Sequence, residues 1–464
     1  MATKSKSLGF RCTECGWTTA KWVGRCGECQ AWGTVVEASS SGGTSLSQVP
    51  VLVPHSPAQP ITDVSSQASI KTPTGVSELD RVLGGGIVPG VVVLLAGEPG
   101  VGKSTLLLDV AAKAAQEAQV NSRSSVLYVT GEESAAQVRA RAERIGALQQ
   151  NLLLTAEADL SRILGHIESS KPSLLIVDSV QTVIDPTVDG AAGGVAQVRA
   201  VTAGLVNIAK STNLPVIVVG HVTKDGSIAG PRVLEHLVDV VCQFEGDRHS
   251  RLRMVRAVKN RYGPTDEVGC FELIDSGIRG LADPSGLFLS ARNLTVPGTC
   301  VTVTLEGRRP MPVEVQALSV TAAGPPRRTT AGVDSSRVSM MLAVIQSRLG
   351  VAFERNDIFV STVGGARAQE PSADLAIALS LISTATNMPL APGVAAFGEV
   401  SLTGELRPIV GVQQRLNEAA RLGFKIAIVP PLNDEIKIPA GMDIRPVSDV
   451  VAAANSVLPL NAIS

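Results

Sequence analysis

Four continuous apolar runs mark the central part of the chain, and each leads into a small or polar residue. The runs are VVVLLAG (91–97), VLYVT (126–130), LLIV (174–177) and VIVVG (216–220). Runs that are apolar at every position and rich in β-branched residues are typical of parallel strands buried on both faces. A helical stretch, LLLDVAAKAAQEAQ (106–119), follows the first run. This alternation predicts an α/β fold built on a parallel sheet.

The pattern changes on both sides of this central part. Residues 38–69 are rich in Ser, Gly, Pro and Gln and show no helical period, which predicts a flexible linker. From about Pro284 to the end, strand-like segments mix with helices, as in an α+β fold. The sequence therefore predicts a small module (1–37), the linker, an α/β domain (70–283) and an α+β domain (284–464).

Composition narrows the class of protein. Of the 464 residues, 44% are hydrophobic and 18% are charged, which is enough apolar surface for a sizeable core. The chain has no uninterrupted run of about 18 apolar residues and no apolar secretory region at its N-terminus, so we expect a cytoplasmic protein without a membrane association. The net charge of −1 predicts no bulk attraction to nucleic acid, although it leaves room for a local basic surface.

The first module carries a candidate metal centre. Cys12, Cys15, Cys26 and Cys29 form two Cys-x-x-Cys pairs. Two such pairs can place four thiolates round one tetrahedral Zn²⁺, and four thiolates leave no position for a reactive water, so the predicted role is structural. A redox role is the alternative, but a redox pair usually stands singly beside a βαβ pattern. A module this small cannot bury enough apolar surface to fold stably, so it also needs a stabilising element such as a bound metal.

All three tryptophans of the chain lie in this module, at Trp17, Trp22 and Trp32, and the cations Lys21 and Arg25 stand beside them. One interpretation is that these side chains contact nucleic acid or a partner. The other is that the indoles form the core of the module. The sequence leaves both open.

The first apolar run leads into a glycine-rich loop, GEPGVGKST, which fits G-x-x-x-x-G-K-[ST] between a strand and a helix. In such a loop backbone N–H groups wrap phosphate oxygens, so Lys103 should reach the β- and γ-phosphates and Ser104 should ligate Mg²⁺. We therefore predict that ATP and Mg²⁺ bind here. The predicted binding residues are Gly97, Glu98, Pro99, Gly100, Val101, Gly102, Lys103, Ser104, Thr105 and Asp178.

Carboxylates follow two of the other apolar runs. Asp178 comes directly after LLIV and is the natural residue to hold Mg²⁺ through water. Glu132 and Glu133 follow the second run, where a carboxylate can orient and deprotonate the attacking water. Glu132 is the first choice and Glu133 the second; either could instead cap the following helix or lie in its first turn. His221 ends the fourth strand and either senses the γ-phosphate or is structural.

Taken together, GEPGVGKST, the GEES strand end, LLIVDS and GHVTKDG resemble the RecA-type ATPase core. The segment VKNRYG (258–263) resembles the KNRFG signature of the bacterial RadA (Sms) family, with Tyr262 in place of Phe. A zinc module in front of this core is also that family's arrangement, and the resemblance covers essentially the whole chain. It implies a hexameric, DNA-dependent ATPase that processes recombination intermediates on single-stranded and branched DNA, with helicase-like branch migration, alongside the RecA recombinase.

The KNRYG segment carries two candidate catalytic cations, Lys259 and Arg261, which alternate and would share one face of a strand. In RecA-type rings, cations near this position reach the γ-phosphate of the neighbouring subunit, so the resemblance implies a role in trans. Contact with DNA is a second interpretation, and a solvated basic turn is the third. Further candidates for contacts to DNA phosphates lie just upstream, at Arg248, Arg251, Arg253 and Arg256.

The last domain resembles the Lon protease domain, through GTCVTVTLEG, EPSADLAIALSLIS and GEVSLTGELRPIVGVQQRL. In Lon, a Ser in a Pro-Ser-Ala-Gly context pairs with a Lys. Here Ser372 occupies the matching position, but Asp374 replaces the Gly and Gln413 replaces the Lys. A glutamine amide cannot take the serine proton, so peptidase activity is not expected, and Ser372 is expected to cap the helix beginning at Ala373. Candidates for a DNA-contacting surface of this domain are Arg327, Arg328, Arg348, Arg355 and Arg367.

The expected fold class is α/β: a RecA-type P-loop ATPase core with a parallel sheet, a small N-terminal zinc module and a C-terminal α+β Lon-protease-like domain. Three functions are compatible with it: a DNA-dependent ATPase motor, a regulatory ATPase that acts on a protein without DNA, and an ATP-driven peptidase. The residues Lys103, Asp178 and Glu132 serve all three. The zinc module with KNRYG favours the first, and Gln413 opposes the third.

Overall fold

A computed structural model describes residues 9–37, 60–63, 70–121, 123–221, 234–246, 250–290, 296–433 and 435–458. Apart from residues 60–63, the linker predicted over 38–69 lies outside the described residues, as do Arg248 and residues 222–226 of the GHVTKDG motif. Residues 1–65 and 66–464 form two separate units.

The first unit is built on three short antiparallel strands in the order β2–β1–β3. They are β1 (Phe10–Cys12), β2 (Thr18–Thr19) and β3 (Val35–Glu37). The buried core consists of Cys12, Cys26 and Val35, with Phe10, Trp17 and Val23 packed against it. So few apolar side chains cannot stabilise a fold alone, which is why the cysteines matter to this module.

The second unit begins with a mixed sheet, nine-stranded over the residues described, and its helices. The strands are β4 (Val92–Gly97), β5 (Val126–Thr130), β6 (Leu152–Ala156), β7 (Leu174–Asp178), β8 (Val216–His221), β9 (Val240–Glu245), β10 (Leu252–Asn260), β11 (Val268–Ile274) and β12 (Gly277–Gly280). The helices are α1 (Ser77–Leu83), α2 (Lys103–Val120), α3 (Ala135–Arg144), α4 (Leu160–Ser170) and α5 (Val195–Thr212). The strand order is β12–β11–β10–β9–β4–β8–β7–β5–β6.

The four apolar runs of the sequence are strands β4, β5, β7 and β8, and they pair in parallel. Along β4, Val93 and Leu95 pack with α1 and α2 on one face of the sheet, whereas Val92 and Leu94 pack with α4 and α5 on the other. Burial on both faces explains why these strands are apolar at every position. The doubly covered parallel sheet predicted from the sequence is confirmed. Strands β10, β11 and β12 extend it in antiparallel fashion.

A second, seven-stranded sheet lies in the described residues 296–458. Its strands are β13 (Thr299–Glu306), β14 (Arg309–Thr321), β15 (Arg328–Ala331), β16 (Asn356–Thr362), β17 (Val394–Ala396), β20 (Ile426–Val429) and β21 (Asp443–Pro446), in the order β15–β16–β14–β13–β17–β20–β21. A short pair, β18 (Glu399–Val400) and β19 (Leu406–Arg407), lies beside it. The helices are α6 (Ser285–Phe288), α7 (Ser335–Leu349), α8 (Asp374–Thr386), α9 (Val412–Arg421) and α10 (Val450–Val457).

The two sheets of residues 66–464 are joined by ion pairs. Arg309, at the start of β14, pairs with Glu78 of α1, and both side chains are buried. Arg309 also donates hydrogen bonds to the carbonyls of Leu281 (2.9 Å) and Ala282 (2.8 Å), so its guanidinium is well satisfied. Within the described residues, no helix has the length and apolarity that crossing a membrane requires.

Candidate nucleotide site and metal centre

The glycine-rich loop joins β4 to α2 at the carboxyl edge of the sheet. A side chain at Gly97 would place its Cβ 2.4 Å from the carbonyl oxygen of Phe244, so only glycine fits there. Gly100 and Gly102 have φ angles of 81° and 109°, in the left-handed region that favours glycine. Because α2 begins at Lys103, the amino end of an 18-residue helix opens onto the loop and favours an anion there.

Lys103 is the buried cation of this loop. Its Nζ donates hydrogen bonds to the carbonyl oxygens of Gly97 and Glu98, each at 2.8 Å. Burial lowers the pKa of Lys103 to about 8, and the negative charges of Asp178 and Glu132 partly oppose this shift. The two carboxylates that follow separate strands therefore act on the same lysine.

Asp178 ends β7 and is buried beside Tyr128 of the neighbouring strand β5. The Tyr128 hydroxyl donates a 2.7 Å hydrogen bond to Oδ2 of Asp178. Burial and the Asp178 charge raise the pKa of Tyr128 well above its ordinary value, so the phenol remains a donor. Tyr128 thus fixes one carboxylate oxygen of Asp178. The sequence around Asp178 did not indicate this contact.

The structure separates the two adjacent glutamates. Glu132 accepts hydrogen bonds from Ser179 Oγ at 2.6 Å and from His221 Nε2 at 3.0 Å, which places it between the ends of β7 and β8. Glu133 turns towards α3, where it pairs with Arg141. Capping by either glutamate is wrong, since Ser134 caps α3 through a capping box with Gln137.

Arg253 lies at the glycine-rich loop, whereas the sequence analysis gave it as a candidate for a contact to DNA. Its side chain is buried, and its Nε donates a 3.2 Å hydrogen bond to the carbonyl of Val101 in the glycine-rich loop. Arg256 is bound to Glu306, with Nη2 2.9 Å from Oε2. The expectation that Arg253 and Arg256 contact DNA phosphates is therefore wrong, because both guanidinium groups are engaged within the chain. Arg251 is exposed.

The KNRYG segment lies away from the glycine-rich loop of its own chain. In the strand register Lys259 pairs with Val241, and Val241 pairs with Leu94. Leu94 precedes Gly97 by three residues, which is about 10 Å along a strand. Lys259 and Arg261 therefore sit towards the amino end of β4, whereas the loop extends from its carboxyl end.

Both cations of the segment are held by residues 235–239. Lys259 Nζ donates to the carbonyls of Glu235 (2.6 Å) and Val238 (2.8 Å). Arg261 Nη1 lies 3.3 Å from Oδ1 of buried Asp239, and more than half of the Arg261 side chain is exposed. The two cations approach one segment, although Arg261 lies just beyond the end of β10 at Asn260. Neither is the freely solvated basic turn of the third interpretation.

The four cysteines of the first module bring their sulfurs together. All four Sγ atoms lie within 4.8 Å of one another, with Cys12–Cys29 at 3.7 Å and Cys15–Cys26 at 3.5 Å. A tetrahedral site with Zn–S bonds of about 2.3 Å requires sulfur–sulfur separations of about 3.8 Å. The cysteine cluster therefore fits Zn²⁺ in a closed, structural site. Of the three tryptophans, only Trp17 packs into the core, while Trp22 and Trp32 are exposed.

The region that corresponds to the Lon dyad is filled by a buried network. The Ser372 hydroxyl donates to Oε1 of Glu370 at 2.6 Å and accepts from Nη1 of Arg415 at 2.9 Å. Arg415 is only 1% exposed and also pairs with Glu370, with Nη1 2.6 Å from Oε1. Gln413 points elsewhere, since its amide donates to Asn417 and to the carbonyl of Lys437.

The expected capping role of Ser372 is wrong. Residues Pro371–Ala373 form a 3₁₀ turn, and α8 begins at Asp374 with Ala373 at the cap position. The serine hydroxyl is already used by Glu370 and Arg415. Asp374 is buried and pairs with Arg337 of α7, with Nε 2.6 Å from Oδ1, so it joins two helices. The five arginines proposed for a DNA surface, Arg327, Arg328, Arg348, Arg355 and Arg367, are all exposed.

Models of known protein families match three separate parts of the chain. Residues 10–37 match the rubredoxin metal binding domain, residues 58–227 an AAA domain, and residues 331–458 the Lon protease (S16) C-terminal proteolytic domain. A partial likeness, with a TM-score of 0.35 and 24% identity, is to the crystal structure of the RadB recombinase, and covers 45% of this chain and 98% of that one.

Relatives match over nearly the whole length. The DNA repair protein RadA of Mycolicibacterium smegmatis is 53% identical over 97% of this chain and 96% of its own. The DNA repair protein RadA of Mycobacterium tuberculosis H37Rv is 53% identical over 96% of this chain and 92% of its own length. The DNA repair protein RadA of Bacillus subtilis is 43% identical over 98% of this chain and 99% of its own length.

The fold and the loop thus define a RecA-type P-loop ATPase core, with a metal-binding module before it and a Lon-protease-like domain after it. The chain belongs to the DNA repair protein RadA family.

Proposed function

We propose that this protein is a DNA-dependent ATPase that processes recombination intermediates, with helicase-like branch migration of strand-exchange products. The observation that carries the ATPase part of the proposal is the convergence of Lys103, Asp178 and Glu132, which come from three separate segments, on one edge of the sheet. At the same edge of the sheet, the amino end of α2 is available to bind phosphates. The DNA dependence rests on the family, whose members are named DNA repair proteins.

Each residue of the site has a proposed role in hydrolysis. The loop from Gly97 to Thr105 binds the phosphates of ATP through its backbone, and Lys103 exchanges its two carbonyl partners for phosphate oxygens. The hydroxyl of Ser104 and the carboxylate of Asp178 are oxygen donors that suit Mg²⁺, which when bound neutralises developing phosphate charge. Glu132 orients the attacking water and accepts its proton, while Ser179 and His221 hold the carboxylate in place.

We assign Lys259 and Arg261 a catalytic role in trans. Their position towards the amino end of β4 supports this, because they lie about 10 Å or more from the loop of their own chain. In a ring, which we propose to be hexameric, the partly exposed Arg261 of one subunit would contact the γ-phosphate bound by its neighbour. Glu133, bound to Arg141, is not assigned the base.

The nucleic-acid partner is proposed from the family, whose members are named DNA repair proteins. We propose single-stranded and branched DNA as substrates, the RecA recombinase as a partner and the cytoplasm as the location. The exposed arginines of the Lon-like domain are the candidates for its DNA-contacting surface. Peptidase activity is not proposed, since the Ser372 hydroxyl is buried and bound to Glu370, whose carboxylate is already paired with Arg415.

Hydrolysis of ATP by zinc-loaded protein, with and without single-stranded DNA, tests the proposal. We expect stimulation by DNA, and loss of both basal and stimulated turnover in Lys103→Ala because the phosphates lose their buried cation. Hydrolysis that depends on Lys103 but is indifferent to DNA, over salt concentrations that permit phosphate contacts, would instead favour a regulatory ATPase with a protein partner.

Mixed rings test the action in trans. Lys103→Ala and Lys259→Ala are each expected to be nearly inactive alone. If Lys259 acts across the interface, a Lys103→Ala subunit supplies an intact Lys259 to the loop of a Lys259→Ala neighbour, so a mixture regains part of the activity. Additive, unrestored rates in a mixture shown to co-assemble would mean that Lys259 acts within its own chain.

A further inference from the structure

The metal-binding module presents two exposed indoles. Trp22 and Trp32 are 64% and 75% exposed, although large aromatic side chains usually bury most of their surface. Aromatic residues make up only 3% of the chain, and all three tryptophans lie in this module. Trp17 accounts for the core, so Trp22 and Trp32 have no packing role that explains them.

Both indoles are held in place rather than loosely solvated. The Trp22 Nε1–H donates a 3.1 Å hydrogen bond to the carbonyl of Val35. The guanidinium of Arg25 lies 5.7 Å from the Trp32 ring centroid and is itself anchored to Gln30 at 3.0 and 2.6 Å. With the Trp22 N–H already satisfied, this ring offers a partner its apolar face.

The two exposed rings come together beside Gly24. A Cβ added at Gly24 would lie 3.8 Å from Cη2 of Trp22 and 4.0 Å from Cζ3 of Trp32. Both indoles therefore flank the position where Gly24 has none. Gly24 is not among the residues with positive φ, so its backbone conformation does not demand glycine. A side chain at this position would be in van der Waals contact with both rings, whereas glycine leaves these ring atoms uncovered.

We propose that Trp22 and Trp32 form a stacking site for the bases of single-stranded DNA, with the exposed Lys21 as the cation for a phosphate and with Arg25, bound to Gln30, holding the Trp32 ring. Between Lys21 and Gly27 both charged residues are cations. Fixed aromatic faces next to cations are how proteins bind single strands without regard to sequence. In a duplex the base faces are already stacked, so the site selects unpaired bases. The inference rests on the proposed function, which supplies DNA as the ligand.

Intrinsic fluorescence offers a local probe in the full-length protein, because every tryptophan belongs to this module. Titration of the zinc-loaded chain with an oligo(dT) single strand should quench the emission. Trp22→Ala and Trp32→Ala should each weaken binding about tenfold, by loss of one stacked base. Trp22→Phe and Trp32→Phe, which keep an aromatic face, should retain most of the affinity by fluorescence anisotropy of labelled DNA.

Matched controls separate stacking from damage to the module. Val36 is 49% exposed in the same module, and Val36→Ala should bind as the unaltered protein does. Bound zinc, measured after dialysis, should be equal in all variants, since neither indole contacts a cysteine sulfur in the hydrogen bonds described. A duplex of the same length should quench less than the single strand.

The outcomes distinguish this inference from the function on which it rests. DNA-stimulated ATP hydrolysis with unquenched tryptophans, or with alanine variants that bind normally, would overturn the stacking site and leave the function standing. Quenching that depends on both indoles, in a protein whose hydrolysis ignores DNA, would support the stacking site and overturn the motor. Equal quenching by single strands and duplex would also contradict stacking on unpaired bases.

Discussion

The glycine-rich loop and the Lon-like site are two parts of the chain that resemble known catalytic sites. They differ in the groups to which their polar side chains are bonded. At the loop, Lys103 is bonded to two backbone carbonyls that phosphate oxygens can replace. In the Lon-like domain, Ser372 is bonded to Glu370 and Arg415, and the three side chains satisfy one another.

The two sites therefore differ in how easily a ligand can reach their polar groups. Glu132 remains 41% exposed and can reach a ligand, whereas Ser372 is 3% exposed. Arg415 cannot act as a base, because a guanidinium stays protonated at any physiological pH. The first site is open to a ligand, whereas the polar groups of the second are bonded to one another.

The largest expected effect concerns the glutamate at the open site. Glu132→Gln should lower kcat by about 10²–10⁴-fold while nucleotide binding is retained, because the amide cannot accept the proton of water. Glu133→Gln is the matched control and should change kcat little, since Glu133 pairs with Arg141. Single-turnover phosphate release measures the loss of hydrolysis, and nucleotide affinity measures the retained binding. The reverse ranking would exchange the assignments of the glutamates.

At the closed site, Arg415→Ala should lower the free energy of unfolding by about 3 kcal/mol, because Glu370 and Ser372 lose their cation. This loss is at the lower end of the range for a broken buried ion pair, because 29% of the Glu370 side chain is exposed. Thermal or urea unfolding measures the loss. Gln414→Ala, at an exposed neighbouring position, should change stability by less than about 0.5 kcal/mol. Equal effects of the two would mean that the network contributes nothing.

A smaller effect is expected from pH at the open site. The pKa of Lys103 is lowered to about 8 by burial, so the free protein loses this charge as the pH rises through that value. Nucleotide affinity should fall about tenfold between pH 7 and pH 9, since the phosphates favour the protonated lysine. Fluorescent ADP binding across this range gives the measurement. Lys103→Arg stays charged, so whatever affinity it has should vary far less; a flat profile for the unaltered protein contradicts the prediction.

The smallest expected effect is none at all. Gln413→Lys returns the missing lysine of the Lon dyad, yet it should create no peptidase activity because the Ser372 hydroxyl is occupied by Glu370 and Arg415. A fluorogenic casein assay checks this. Cleavage that appears in Gln413→Lys and vanishes when Ser372→Ala is added would show that the second site is latent rather than replaced.

Much of the fold could be predicted from the sequence, because its signals are local. The continuous apolar runs mark the central strands, and the glycines of the loop mark the turn between β4 and α2. The cysteine spacing likewise indicated the metal centre. In each case the residues that form the feature lie in one short stretch of the chain.

The missed contacts join residues far apart in the chain. Tyr128 meets Asp178, Arg253 meets Val101 and Arg415 meets Ser372, and no local pattern reports such pairs. One signal was available: in a strand with period two, Arg253 shares a face with Val255 and Ala257, both of which are buried. That alternation indicates an inward arginine, and hence a partner inside the chain rather than DNA.

The buried pair of Glu78 and Arg309 has a consequence for how this protein can change over generations. The two residues are 231 positions apart; Glu78 lies in helix α1 of the ATPase core, and Arg309 lies in strand β14 of the Lon-like domain. Removing either one leaves the other charge buried without its ionic partner, which is a large cost for a marginally stable protein. A chimaera that joins the ATPase core of one relative to the Lon-like domain of another is therefore expected to need both members of the pair.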